Sequence, residues 1–247
     1  MKDDSPRVNA IAGITNVALL MQLVDTVQNR PPFLANIGVF SGYSGFGKTM
    51  AATVAANEFD AVVIELDSTY TTKHLFSLLA RELGLPGKGT AAALSDAIAA
   101  ELISCTRPVI LDEADHLLKR PKMLQDVRGL FDKAQATLIL IGEENLPTAL
   151  LQWERVAGRV LQYVQAQPAS VDDALLLADI YAPGIEIDPG LHAELMKASG
   201  SSVRRLCNNL HHIREAARRL GRAAMTADDL DEVTFTTGRP PSARRGL

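Results

Sequence analysis

Five short apolar runs punctuate the first two thirds of the chain: NIGVF from residue 36, AVVIELD from 61, PVILDEAD from 108, TLILIG from 137 and VLQYVQAQ from 160. Each has the length and β-branched content of a buried strand. Between them lie segments with helical periodicity: the stretch after Lys48, then TTKHLFSLLARELG, TAAALSDAIAAELIS, KMLQDVRGLFDKAQ and LPTALLQWERVAG. Near-continuous apolar strands alternating with helices predict a parallel sheet covered on both faces.

After QAQPAS the strand pattern stops. VDDALLLADIYA, PGLHAELMKAS, SSVRRLCNNLHHIREAARRL and a short segment near TADDLDEVTF all read as helices. Gly200 and the serines behind it suit a helix break and a new N-cap. The expected organisation is an α/β core over residues 1–167 that includes an N-terminal helix, a small all-helical domain over 168–236, and a basic, disordered tail over 237–247.

Composition narrows the class. Of 247 residues, 47% are apolar and 22% charged, the balance of a soluble globular protein. The two cysteines, Cys105 and Cys207, form no CxxC or Cys/His cluster, which argues against a disulfide framework or a zinc site and fits a reducing cytoplasm. The acidic start, MKDDSPRVNA, is unlike a secretory signal, and Asn16, Gln22 and Asp25 interrupt the apolar run behind it, so no membrane span is expected. A net charge of −4 excludes a generally basic coat for nucleic acid, although the residues from Lys197 onward are locally basic.

The chemistry enters at residues 42–49. Gly42-Tyr43-Ser44-Gly45-Phe46-Gly47-Lys48-Thr49 fits GxxxxGK[ST] and lies between an apolar strand and a helix. Glycines there let backbone N–H groups turn around a phosphate at a helix N-terminus. Lys48 is expected to reach the β- and γ-phosphates, Thr49 to bind Mg²⁺, and Met50 to lie beside the nucleotide. The third strand ends in Asp112-Glu113. An aspartate there suits a Mg²⁺ shell, and the neighbouring glutamate suits activation of a water. One extra strand separates this pair from the phosphate loop, unlike the order in P-loop kinases and Ras-like GTPases. No NKxD-type guanine reader is present, so ATP is favoured over GTP.

Phosphate loop, inserted strand, Asp-Glu strand, two further strands and a helical lid: this order resembles an AAA+ ATPase over residues from about 10 to 235. The resemblance implies a sheet order of 5-1-4-3-2. TLILIGEENLPTALLQWERVAGRV resembles origin-recognition initiators and the transposition regulators of the phage Mu B type. By that resemblance Asn145, with Glu143 as alternate, senses the γ-phosphate, and Arg159, with Arg155 as alternate, reaches a neighbouring subunit's ATP. GSSVRRLCNN resembles the lid signature in which an arginine touches phosphate, Arg204 first and Arg205 second. Asn16 is expected to pack on the adenine or on a neighbour.

The Mu B resemblance further implies a homo-oligomer, filament or hexameric ring, on double-stranded DNA, delivering target DNA to a transposase. The setting would be a bacterial cytoplasm, with the gene on a phage or transposon. Lys73, Lys119, Arg120 and Lys122 are the candidate DNA contacts, on segments that leave the carboxyl ends of strands. The helix-turn-helix region of the Mu relative is not expected before the loop, where only one helix-like stretch is read. A replication initiator or helicase loader, or a signalling switch without a DNA role, are the competing readings.

Overall fold

The computed structural model describes residues 13–238. The proposed tail falls largely on residues 239–247, outside the described residues, as do residues 1–12. The chain divides into two units. One comprises Asn16–Ser44 and Lys48–Gln167; the other comprises Met1–Thr15, Gly45–Gly47 and Pro168–Leu247.

The first unit is an α/β layer structure. Its strands are β1 (Ile37–Ser41), β2 (Val62–Glu65), β3 (Val109–Asp112), β4 (Leu138–Gly142) and β5 (Val160–Gln165). They form one parallel sheet in the order β2-β3-β4-β1-β5, the order that the resemblance implies, read from the other edge. β1, β3 and β4 are buried at every position, which explains their unbroken apolar runs. β5 is the more exposed edge, and a register shift opposite Ile37 and Gly38 bends its start.

Helices α1 (Thr15–Gln28), α2 (Lys48–Phe59), α3 (Thr72–Glu82), α4 (Ala91–Cys105), α5 (Asp115–Leu118), α6 (Pro121–Ala134), α7 (Leu146–Leu150) and α8 (Glu154–Ala157) complete this unit. Thr71 and Thr90 cap α3 and α4 through their side chains. α1 packs directly on the sheet at Gly38, where a β-carbon would come within 2.9 Å of Ile139 and 3.0 Å of Leu23 and Val27. The core runs from these strands into α3, α4 and α6. Each fully buried Leu or Ile there contributes roughly 1.5–3 kcal/mol.

LPTALLQWERVAG does not form the single helix its pattern predicts. It gives the short helices α7 and α8, parted at Trp153, whose ψ of 73° leaves the helical region. Trp153 packs partly against the core, and that contact overrides local periodicity.

The second unit holds α9 (Val171–Tyr181), α10 (Pro189–Ser199) and α11 (Val203–Leu220). Ser170 and Asp173 form a capping box for α9, and Asp188 and Ser202 cap α10 and α11. It is not entirely helical. β6 (Glu186–Ile187) and β7 (Ala224–Met225) form a two-stranded parallel pair, and Ala227–Glu232 is a 3₁₀ turn rather than an α-helix.

Candidate functional site

The carboxyl ends of β1, β3 and β4 carry the chemistry, as parallel sheets of this kind lead one to expect. β1 ends at Ser41, the chain turns through residues 42–47, and α2 starts at Lys48. Gly42 N–H donates to Gly142 O at 3.2 Å. Lys48 Nζ donates to the carbonyls of Gly42 (2.6 Å) and Tyr43 (3.1 Å). Burial lowers the pKa of Lys48, while the carboxylates of Glu113, Asp112, Asp115 and Glu143 act in the opposite direction.

The two residues expected to bind Mg²⁺ are brought together. Thr49 Oγ1 donates to Asp112 Oδ2 at 2.8 Å, and Asp112 is almost fully buried. The other oxygen of Asp112 accepts the Glu113 N–H at 2.9 Å. Glu113 is exposed and holds a φ of 54°, uncommon for a side chain of its size. Desolvation first, then the charge of Asp112, raises its pKa. An ammonium, a hydroxyl and paired carboxylates at a helix N-terminus are the donor set that a nucleoside triphosphate with a hard divalent cation requires.

Asn145 precedes α7, is exposed, and makes no capping bond with its side chain. Two residues earlier, Glu143 N–H donates to Asp115 Oδ2 at 2.8 Å. The two finger candidates differ. Arg159 Nε pairs with Asp132 at 2.8 Å, and Asp132 also pairs with Arg128. Arg155 is exposed and makes no ion pair among the described residues. Asn16 is not available as imagined. It is 2% exposed, and both ends of its amide are bonded to the backbone of Gln167, donating to O and accepting from N, each at 2.7 Å. It ties α1 to the end of β5.

In the second unit, Gly45 and Gly47 hold φ of 86° and 84°, a conformation glycine adopts without penalty. Gly45 O accepts from Arg204 N (3.1 Å) and from Ser202 Oγ (3.2 Å), and Gly47 lies against Val203. The side chain of Arg204 is exposed. Arg205 is committed elsewhere: its Nε donates to Ser199 O at 2.6 Å, capping the end of α10. Tyr43 and Ser44 are exposed, whereas Phe46 and Met50 are half-buried.

The basic candidates also separate. Lys73 and Lys119 are exposed and unpaired among the described residues. Arg120 donates to Ser68 O, binding the loop before α3 to the start of α6, and Lys122 pairs with Asp126 at 2.8 Å. The sequence pattern places Ser202 among the serines of an N-cap but does not foretell its bond to Gly45, and it does not single out Asp115. The signal for Asp115 is its place in the acid cluster DEAD.

Residues 30–150 match the family model described as an AAA domain. No curated protein gives a significant match to the chain. The fold is similar to that of the Aeropyrum pernix ORC1 protein, solved in complex with DNA, with a TM-score of 0.61 at 18% identity over 92% of this chain and 64% of that one. It is also similar to CDC6P from Pyrobaculum aerophilum, with a TM-score of 0.61 at 16% identity over 84% of this chain and 62% of the other. A third is the ADP form of Aeropyrum pernix ORC2, with 0.60 at 17% identity over 92% and 68%. The chain spans just under two thirds of the first two relatives. The fold is the AAA+ P-loop fold, and no helix among the described residues is long and apolar enough to cross a membrane.

Proposed function

We propose that this chain is an AAA+ ATPase that binds and hydrolyses ATP with Mg²⁺ and uses the nucleotide state to control assembly on duplex DNA. The observation that carries the reading is the convergence of Thr49, Asp112 and Glu113 beside Lys48. In this reading the loop's N–H groups and Lys48 hold the phosphates. Thr49 and Asp112 hold Mg²⁺, which when bound neutralises phosphate charge. Glu113 orients the attacking water and takes its proton, and Asn145 faces the γ-phosphate. By the resemblance of its segment, Arg204 contacts phosphate. Arg155, the unpaired member of its pair, supplies a guanidinium to a neighbouring subunit, so ATP lies at an interface between copies.

The fold likeness to ORC1, a protein whose structure contains DNA, favours an initiator or helicase-loader role. A second reading, the delivery of target DNA to a transposase, rests on the resemblance of residues 137–160 alone, which origin-recognition initiators share. Turnover measured in wild type, K48A and E113Q tests the enzyme: both variants should lose it, and E113Q should still bind ATP. Electron microscopy of E113Q with ATP, with and without duplex DNA, separates the two roles. Filaments on DNA favour target delivery, and closed hexamers favour loading. Equal turnover in wild type and E113Q would refute the ATPase reading.

A further inference from the structure

Asp115 lies three residues beyond Asp112 and is not among the groups assigned above to nucleotide or metal. Its Oδ2 accepts the Glu143 N–H at 2.8 Å, at the head of the turn that carries Asn145. Gly142 makes this approach possible, since a β-carbon there would run into Asp115 Oδ2 and come within 2.7 Å of Leu146. A second bond runs alongside, from Ala114 N to Ile141 O at 2.8 Å. Glu113 sits inside this double stitch in a left-handed conformation, which persists only where surroundings enforce it.

We propose that Asp115 is a positioning residue for the ATPase reaction: its carboxylate locks the Glu143–Asn145 turn to the Asp112–Glu113 segment. The water-activating acid and the amide that faces the γ-phosphate then keep one fixed separation. A carboxylate accepting a single backbone N–H is a charge-assisted bond, strong enough to hold a short turn in register. The inference rests on the ATPase reading above and assigns Asp115 no contact with nucleotide.

The test compares D115A, D115N and G142A with wild type and E113Q. In the nucleotide-free chain, the exchange protection of the Glu143 amide should fall at least about 10-fold in D115A and G142A. D115N retains an acceptor oxygen and should keep most of that protection. In turnover, D115A and G142A should lose about 10- to 100-fold in kcat, as expected for a misplaced catalytic pair. Their affinity for ATP should stay within about 2-fold of wild type, and D115N should recover most of the loss. A folded D115A with wild-type kcat would overturn the proposal. So would D115N as impaired as D115A, or a Glu143 amide whose exchange ignores all three substitutions. If wild type turns over no faster than E113Q, the ATPase reading fails first and takes this inference with it.

Discussion

Asn16 separates two accounts of the first helix. If its amide faces adenine, N16A weakens nucleotide binding and leaves stability alone. If it is a structural tie, N16A does the reverse. The reciprocal pair with Gln167, both bonds at 2.7 Å, supports the second account. These two neutral hydrogen bonds at roughly 0.5–1.5 kcal/mol each contribute up to about 3 kcal/mol. Gln167 is exposed, so water can satisfy its backbone once the amide is gone. The expected loss is therefore about 1–2 kcal/mol, or a fall in Tm of about 2–8 °C for a chain of this size. N16D is the sharper variant. It can still accept from Gln167 N, but it sets a carboxylate against Gln167 O, so it should be no more stable than N16A. Thermal unfolding by circular dichroism and titration with a fluorescent ATP analogue read the two accounts side by side. An N16A chain that melts with wild type yet binds the analogue ten-fold more weakly would refute the tie.

Arg204 and Arg205 should part in the same way. R205A removes the bond to Ser199 O and should destabilise the helical unit by about 1 kcal/mol, while R204A should stay within about 0.5 kcal/mol and instead weaken ATP binding, both read by unfolding and titration. R155A should cost about 10³-fold or more in assembled turnover. R159A gives up only a half-exposed ion pair and should cost far less, with dilution series showing whether either effect needs a second subunit. K73A with K119A should lower the slope of log affinity for duplex DNA against log salt by about 1.8, with little change from K122A, measured by fluorescence anisotropy. The Thr226 N–H, then Arg222, holds the carboxyl of Asp229 below its usual pKa, so its contribution to stability is present above the ordinary carboxylate range. It is lost as pH falls through the folded value; acid unfolding should be shallower in D229N.

How far the sequence revealed the molecule depends on how local each signal was. The five strands followed from short apolar runs, because burial on both faces leaves β1, β3 and β4 few other residue choices, whereas their order came from the AAA+ resemblance and not from the runs themselves. Thr49 and Asp112 were legible as partners for the same reason: each closes an element whose position the sheet dictates. Trp153 was not legible. A helical period runs through it unbroken, and only the core it packs against shows why α7 stops short.

The harder cases are polar side chains with more than one possible partner. Arg204 and Arg205 are neighbours of one type, and which is spent depends on where the end of α10 arrives, information held six residues away in Ser199. Of Arg155 and Arg159, Arg159 meets Asp132, which lies on α6 and gives no local cue. Asn16 is held by Gln167, 151 residues further along the chain. In each arginine pair, the side chain left without an ion pair or hydrogen bond among the described residues stays available to a ligand or another subunit, and its neighbour is used in holding the fold. A motif thus narrows function to a pair of residues. The pairing of the rest of the chain selects between them, and for that reason the arginine variants exchange one member of a pair at a time.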